Sequence, residues 1–241
     1  MASSSVFALA QPAENHFLED YFSDTRSRFT ALRADTDFRA FHAPPDFLFL
    51  DFSLIPEKHL KNLRALLDTG KTRLFSLGAH PQFPGFDLPN KAQISVPLSP
   101  VLFEEEILRP VEFPAEFRVL VIDDEPELCA GIKDYLESRR QPAFLVDYAL
   151  NGLEAFHKIE QFRPDVALLD LKMPVKSGHD FYRETQRRYP GFRVIVLTSS
   201  VGPDEIEEIR KSGAPPFVEK GSRRSSFPEL AALIKKTWIF S

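Results

Sequence analysis

Residues 164–174 read PDVALLDLKMP, and this stretch decides how the chain folds. Its four consecutive apolar residues, Val166 to Leu169, lie between a proline and a charged segment, which is typical of a short strand buried on both faces of a parallel α/β sheet. Asp170 follows at the predicted end of that strand. Because ligands of doubly wound sheets bind outside the carboxyl ends of the strands, this carboxylate is predicted to be exposed to chemistry.

Three further predicted strands of the C-terminal half also end in polar side chains. They are strand 118–122 before Asp123 and Asp124, strand 193–197 before Thr198, and strand 217–219 before Lys220. An aspartate after an apolar run is by itself often only a turn former or a helix cap. The whole set, with helix-length segments between its members, indicates one site of acids, a hydroxyl and an ammonium group at one edge of a sheet.

These motifs resemble the receiver domain of two-component response regulators. Residues 117–241 are similar to that family at VIDDEP, LLDLKMP, VLTSS and GAPPFVEK, which together place the resemblance over about half of the chain. The resemblance implies an α/β, flavodoxin-like domain, doubly wound around a five-stranded parallel sheet of order 2-1-3-4-5. It also implies that Asp170 is a phosphoacceptor.

The resemblance further implies a role for each residue of the site. Asp170 would attack the phosphorus of a phosphohistidine on a sensor histidine kinase or a histidine phosphotransfer protein, and Lys220 would neutralise a phosphoryl oxygen. Mg²⁺ would be bound by Asp124, Asp170 and the backbone carbonyl of Lys172, with Asp123 acting through water. Clustered carboxylates that repel one another favour a divalent cation, and an all-oxygen ligand set suits Mg²⁺.

A conformational switch is also implied by the resemblance. Thr198 would hydrogen-bond the phosphoryl group, and Phe217 would move into the space that the threonine leaves. The face that changes, and that often dimerises in the family, would comprise Asp204–Lys211, Phe217–Lys220 and Phe227–Trp238. A solvated charged surface remains the alternative explanation for this face.

Three positions depart from the family pattern. Gly221 follows Lys220 where the family usually has proline, which leaves the shape of that loop open. Lys172 and Ser200 stand where the family tunes the lifetime of the aspartyl phosphate. Because lysine cannot act as the acid or amide that orients an attacking water, and serine is too short to do so well, we expect slow self-hydrolysis.

Composition limits the class of protein. The 241 residues are 43% hydrophobic and 27% charged, which fits one or two soluble globular domains. No segment approaches the roughly 20 apolar residues of a membrane helix, and a net charge of -5 does not indicate a nucleic-acid partner. The single cysteine, Cys129, is expected in the core and fits a reducing, cytoplasmic location.

The first half of the chain repeats the second. PDFLFLDF at residues 45–52 matches PDVALLDL at residues 164–171 almost position for position, so two copies of one fold are predicted. The span from Val6 to Asp51 is six residues shorter than that from Val119 to Asp170. Six residues make about one and a half helical turns, and we expect the loss in the second helix of the first copy, where residues 35–41 remain.

This alignment removes the reactive side chains from the first copy. Ala10 and Gln11 replace the acid pair, Gly78 replaces the hydroxyl, and Pro97 replaces the lysine. A lone carboxylate at Asp51 cannot neutralise a phosphoryl group during transfer. Residues 1–108, ending in a helix over 100–108, are therefore predicted to be a pseudo-receiver with Asp51 a structural relic, joined by linker 109–116 to the phosphoacceptor receiver 117–241.

The leading functional hypothesis is a response regulator without a DNA-binding output domain that signals by altered protein–protein interaction and is not a turnover enzyme. One alternative is a phosphohydrolase similar to haloacid dehalogenases, which also use an aspartyl nucleophile. Those enzymes carry a second acid two residues later, where this chain has Lys172. Another alternative is a fragment of a longer regulator whose output module is missing.

Overall fold

Two parallel sheets organise the chain in this computed structural model, which describes residues 4–23, 27–41, 43–78, 91–99, 103, 106–107, 113–140, 142–199, 202–213 and 215–240. The described residues up to Ile107 form one compact unit and those from Phe113 onward form a second. The two predicted domain boundaries stay predictions, since residues 108–112 lie outside the described residues. Phe113 packs its ring 5.5 Å from that of Trp238 in the second unit.

The N-terminal unit contains five parallel strands in the order β2-β1-β3-β4-β5. Its elements are β1 (Ser5–Leu9), α1 (Pro12–Phe22), β2 (Arg28–Ala31), β3 (Phe47–Leu50), α2 (Glu57–Leu67), β4 (Arg73–Leu77) and β5 (Lys91–Ile94). A 3-10 turn, Phe38–Ala40, stands between β2 and β3, where the shortened second helix was predicted. Of the helix predicted over residues 100–108, only Phe103, Glu106 and Ile107 are described, and all three are helical.

The C-terminal unit has the same sheet topology, with parallel strands in the order β10-β9-β8-β6-β7. Its elements are β6 (Phe117–Ile122), α3 (Pro126–Glu137), β7 (Phe144–Ala149), α4 (Gly152–Phe162), β8 (Val166–Leu169), α5 (Gly178–Arg188), β9 (Arg193–Thr198), α6 (Pro203–Ser212), β10 (Phe217–Glu219) and α7 (Phe227–Phe240). In chain order both sheets follow 2-1-3-4-5, so the predicted pair of flavodoxin-like folds is confirmed.

Helices cover both faces of the C-terminal sheet. Along β6, Val119 and Val121 pack with residues of α3 and α7, whereas Leu120 and Ile122 pack on the opposite face with α4, α5 and α6. This alternation follows from the two-residue period of a strand. All four residues of β8 are buried because it lies in the middle of the sheet, which explains its unbroken apolar sequence.

Cys129 lies in the core between the sheet and α3, as predicted. Its side chain is 0% exposed, and burial raises the pKa of its thiol to about 12. The thiol therefore stays protonated at physiological pH.

Strand pairing allows the two units to be compared residue by residue. Val6 pairs with Phe47 and Leu9 with Leu50 in the first sheet, just as Val119 pairs with Val166 and Ile122 with Leu169 in the second. Asp51 therefore follows its strand at the position that Asp170 occupies. The 45–52 repeat thus reflects equivalent places in two sheets.

One correspondence predicted from the sequence was wrong by one residue. Ile94 pairs with Leu77 as Val218 pairs with Leu197, which places Val96, and not Pro97, at the position of Lys220. Strand β5 (KAQI) lacks an apolar run that would reveal its register, so the pairing had to come from the hydrogen-bonded ladder. The conclusion that the first copy lacks the lysine is unchanged.

Gly178 fixes the loop that follows Asp170. A Cβ built at Gly178 would lie 2.0 Å from the Asp170 carbonyl oxygen, and the Gly178 N–H donates to the Leu171 carbonyl at 3.0 Å. The chain after the carboxylate can therefore turn back onto its own backbone only if residue 178 has no side chain.

We expect Gly178→Ala to lower the free energy of unfolding by about 1–3 kcal/mol, since the clash is with backbone that must move. Gly131→Ala in α3 is the control, because its Cβ would meet only ring atoms of Phe227, at 3.1 Å, and alanine is the better helix former. Chemical denaturation of both variants measures the difference. Equal effects would contradict this account of the loop.

Candidate functional site

The carboxyl ends of the four neighbouring strands β6, β8, β9 and β10 carry the predicted site residues. Backbone hydrogen bonds extend the pairing past the strands, from the Asp170 N–H to the Ile122 carbonyl at 2.8 Å and from the Lys220 N–H to the Thr198 carbonyl at 2.9 Å. The backbones of Asp170 and Lys220 are therefore each held by the adjacent strand. This brings the side chains to one edge of the sheet.

The ammonium group of Lys220 lies among three carboxylates. Its Nζ is 2.9 Å from Asp123 Oδ2, 2.9 Å from Asp170 Oδ2 and 2.8 Å from Glu125 Oε1. The side chains of Asp123 and Asp170 are 2% and 4% exposed, whereas that of Glu125 is 62% exposed. Two of the three ion pairs are therefore shielded from water.

Backbone N–H groups bind the other carboxylate oxygens. Asp123 Oδ1 accepts from the Glu125 N–H at 3.1 Å, and Asp170 Oδ1 accepts from the Lys172 N–H at 3.2 Å. Each of these two carboxylates is therefore bound on one oxygen by a backbone N–H and on the other by Lys220.

Asp123, Asp124 and Asp170 form a group that can hold a metal ion, with one carboxylate oxygen from each lying within 4.8 Å of the others. The ligands are all oxygen, they are few, and Asp124 opens to solvent. Such a set fits Mg²⁺, which keeps part of its water shell, better than a closed calcium cage. Three carboxylates pair with the one Lys220 ammonium group, and Asp124 adds a fourth acid beside them, so the cluster carries net negative charge that a cation would reduce.

Burial and pairing shift the proton affinities of this cluster. Burial raises the pKa of Asp123, and its hydrogen bonds with Lys220 and the Glu125 N–H offset that only in part. Burial by itself would lower the pKa of Lys220, but hydrogen bonds to Glu125, Asp123 and Asp170 outweigh it and raise the pKa. Lys220 therefore stays charged at physiological pH.

Thr198 ends β9 beside this cluster and is 1% exposed. Its Oγ1 is buried and has no hydrogen-bond partner among the residues that the structure describes. Phe217 begins β10 and packs, half-buried, against the cluster that contains Val194 and Val196. Ser200 lies outside the described residues, as do the side chains of Asp204, Glu205 and Arg210 on the predicted dimer face.

Sequence reasoning found the acids, the hydroxyl and the lysine but missed Glu125 and Gly178. Glu125 is the third consecutive acid of the VIDDEP motif, and that run is the signal that pointed to it. Its contact with Lys220 could not be derived, because the two residues are 95 positions apart. The side-chain direction of an exposed loop residue follows no sequence period.

The corresponding edge of the first sheet has different chemistry. Asp51 Oδ1 accepts from the Ser53 N–H at 2.9 Å and from its hydroxyl at 2.6 Å, and so caps the 3-10 turn Phe52–Leu54. At the lysine position Val96 is 45% exposed, and a Cβ at Gly78 would lie 3.1 Å from Val96 Cγ2. Asp51 thus has a local structural use.

Comparison with known proteins agrees with the geometry of the C-terminal unit. The family model described as the response regulator receiver domain matches residues 119–232. Among curated relatives, the uncharacterized transcriptional regulatory protein YvfU of Bacillus subtilis is 30% identical over 119 residues, 49% of this chain and 58% of that protein. The chemotaxis protein CheY of Thermotoga maritima is 28% identical over 49% of this chain and 98% of that protein.

A solved structure gives a similar span. The response regulator domain of Thermotoga maritima CheB is 30% identical, with a TM-score of 0.46 over 52% of this chain and 98% of that chain. The chain spans a little over half the length of regulators such as YvfU.

The C-terminal unit is a receiver domain, a signalling module of two-component systems. Residues 119–232 belong to the response regulator receiver family, as the resemblance of the motifs predicted. Within the described residues, none of the helices has the length and apolar character needed to cross a bilayer.

We expect Asp123→Asn to raise the free energy of unfolding of the metal-free protein at neutral pH. Since the folded-state pKa of Asp123 is raised, the unfolded chain loses this proton first as pH rises, and ionised Asp123 then costs stability. The gain should vanish as pH falls below about 3.8, the ordinary aspartate value. Urea denaturation in the presence of a chelator measures the free energy of unfolding of each variant. A lower value for Asp123→Asn, together with an unchanged value for the control Asp124→Asn at an exposed position, would contradict this prediction.

Thr198→Val should raise the free energy of unfolding by about 1 kcal/mol, because it replaces a buried hydroxyl, without a hydrogen-bond partner in the described part of the chain, by a methyl group of similar size. Thr72→Val is the opposite case, since the buried Thr72 hydroxyl donates to the Pro45 carbonyl at 2.7 Å. This substitution should lower the free energy of unfolding by about 1 kcal/mol. Calorimetry of each variant, read on the transition of the unit that carries it, makes the comparison. A destabilised Thr198→Val would show that the hydroxyl has a partner.

Proposed function

We propose that the protein is a response regulator that accepts a phosphoryl group on Asp170 from a sensor histidine kinase or a histidine phosphotransfer protein. The observation that carries this proposal is the convergence of Asp170, the acid pair and Lys220 at one sheet edge, with the ammonium 2.9 Å from the acceptor carboxylate. The reaction would depend on Mg²⁺ held by Asp124, Asp170 and the Lys172 carbonyl, with Asp123 acting through water.

Asp170 would supply the nucleophile. One carboxylate oxygen forms a bond to phosphorus while the bond from phosphorus to the donor's histidine nitrogen breaks, and the histidine leaves with the electron pair of that bond. The bound metal ion would supply positive charge next to the transferred group. Because the Lys172 N–H and the Lys220 ammonium group hold the Asp170 carboxylate, its oxygens reach the phosphorus without a large search of side-chain conformations.

Lys220 and Thr198 would bind the phosphoryl group once it is in place. An ammonium group stabilises the added negative charge, and the buried Thr198 hydroxyl, at the end of the strand next to β8, has no hydrogen-bond partner among the described residues. If Thr198 turns toward the phosphoryl group, Phe217 can occupy the space that it leaves. The face formed by α6, β10 and α7 would then change shape and its affinity for a partner, including a second copy of the chain.

Asp51 would not be a second acceptor. Its carboxylate already accepts two hydrogen bonds from Ser53. At the positions that match Asp123, Thr198 and Lys220 the first copy has Ala10, Gly78 and Val96, whose side chains carry no charge that could stabilise a phosphoryl group. The N-terminal unit would therefore be a pseudo-receiver, and signalling by protein interaction rather than by turnover is proposed for the chain. The cytoplasmic location and slow loss of phosphate beside Lys172 stay predictions.

Incubation with acetyl phosphate and Mg²⁺, followed by intact-mass analysis, tests this function. We expect one phosphoryl group per chain, complete loss of the modification in Asp170→Asn, and retention in Asp51→Asn. Chelation of the metal should also abolish it. Label on the Asp170→Asn variant, or its absence from Asp51→Asn alone, would overturn the assignment of the acceptor.

A further inference from the structure

We propose that Glu125 is a positioning residue that holds the Lys220 ammonium group before phosphorylation and releases it to the phosphoryl group. The starting observation is the 2.8 Å contact between Lys220 Nζ and Glu125 Oε1, which joins an exposed acid to a largely buried lysine. The proposal rests on the phosphoacceptor role of Asp170 given above. It adds to that role a step in which Lys220 exchanges its hydrogen bond with Glu125 for one with the incoming phosphoryl group.

The number of donors on the ammonium group requires such an exchange. A lysine side chain has three N–H donors, and Asp123, Asp170 and Glu125 each stand within hydrogen-bond distance of one. No donor is left over for a phosphoryl oxygen. Lys220 can therefore bind the phosphoryl group only after one of the three carboxylates gives up its hydrogen bond.

Glu125 is the carboxylate that can leave at the lowest cost. Asp123 is 2% exposed, so releasing it would leave a buried charge without its partner, which is unfavourable. Asp170 keeps one carboxyl oxygen that does not bond to phosphorus, and this oxygen can still accept a hydrogen bond from Lys220. Glu125 is 62% exposed, and its side chain can turn into water, where its charge is solvated.

This competition should slow phosphorylation moderately. Ion pairs with one exposed partner are weak, so removing the Glu125 carboxylate should speed phosphorylation by about two- to fivefold. The effect should depend on the contact itself and not on the total charge of the protein. A matched control is therefore needed.

Glu125→Gln and Glu127→Gln are the paired variants. Each removes one negative charge, and Glu127, which is exposed in the first turn of α3, is not one of the three carboxylates that pair with Lys220. With acetyl phosphate at saturating Mg²⁺, we expect faster modification of Asp170 in Glu125→Gln and the wild-type rate in Glu127→Gln. Equal rates in the two variants would overturn the proposal.

A second measurement needs neither metal nor phosphate. Nitrogen-15 NMR of lysine ammonium groups in the metal-free protein, with the Lys220 signal assigned by its loss in Lys220→Arg, reports how firmly this group is held. We expect faster hydrogen exchange at Lys220 in Glu125→Gln and no change in Glu127→Gln. An unchanged Lys220 signal in Glu125→Gln would contradict the positioning role.

The two measurements separate failure of the inference from failure of the proposed function. A wild-type protein that is never modified on Asp170 would reject the phosphoacceptor function, and the NMR comparison would still decide whether Glu125 holds Lys220. A wild-type protein that is modified, with Glu125→Gln and Glu127→Gln alike, would reject only the role of Glu125.

Discussion

A single ammonium group surrounded by carboxylates is the interaction on which the C-terminal site depends. Without Lys220 the buried acids Asp123 and Asp170 would face each other with only backbone donors to offset their repulsion. The parallel sheet makes the arrangement possible, because neighbouring strands deliver their last residues to the same edge. The cluster remains acidic even so, which gives it a physical preference for a cation.

Backbone contacts, more than side-chain packing, set the geometry around the acceptor. The loop after Asp170 is pressed against the acceptor's own carbonyl at Gly178, and the Gly152 N–H donates to the Lys176 carbonyl at 3.3 Å. At Gly178 the chain approaches more closely than any side chain would allow, whereas at Gly152 a Cβ would make a tight contact, 3.0 Å from the Lys176 carbonyl oxygen. The backbone of the loop that follows the acceptor is therefore in close contact with other backbone at both glycines.

The amino-acid sequence predicts the parts of this molecule that follow simple periodicities. Buried strands such as β8 are visible as apolar runs, and the acids and lysine are visible because they follow such runs. The position matching Lys220 in the first copy was misplaced because β5 has no apolar run to fix its register. Glu125 and Lys220 are 95 positions apart in the sequence, and their contact can be recognised only from the three-dimensional structure.

The close approach of Gly78 and Val96 makes it difficult to convert the N-terminal unit into a second phosphoacceptor. Gly78 has a φ of +73°, which is costly for a β-branched residue, and any Cβ there would press on Val96. Restoring a threonine would thus require a new backbone path as well as a new side chain. An engineer who wished to build a second acceptor at Asp51 would have to redesign the ends of β4 and β5 together, since point substitutions introduced one at a time would each pass through a strained protein.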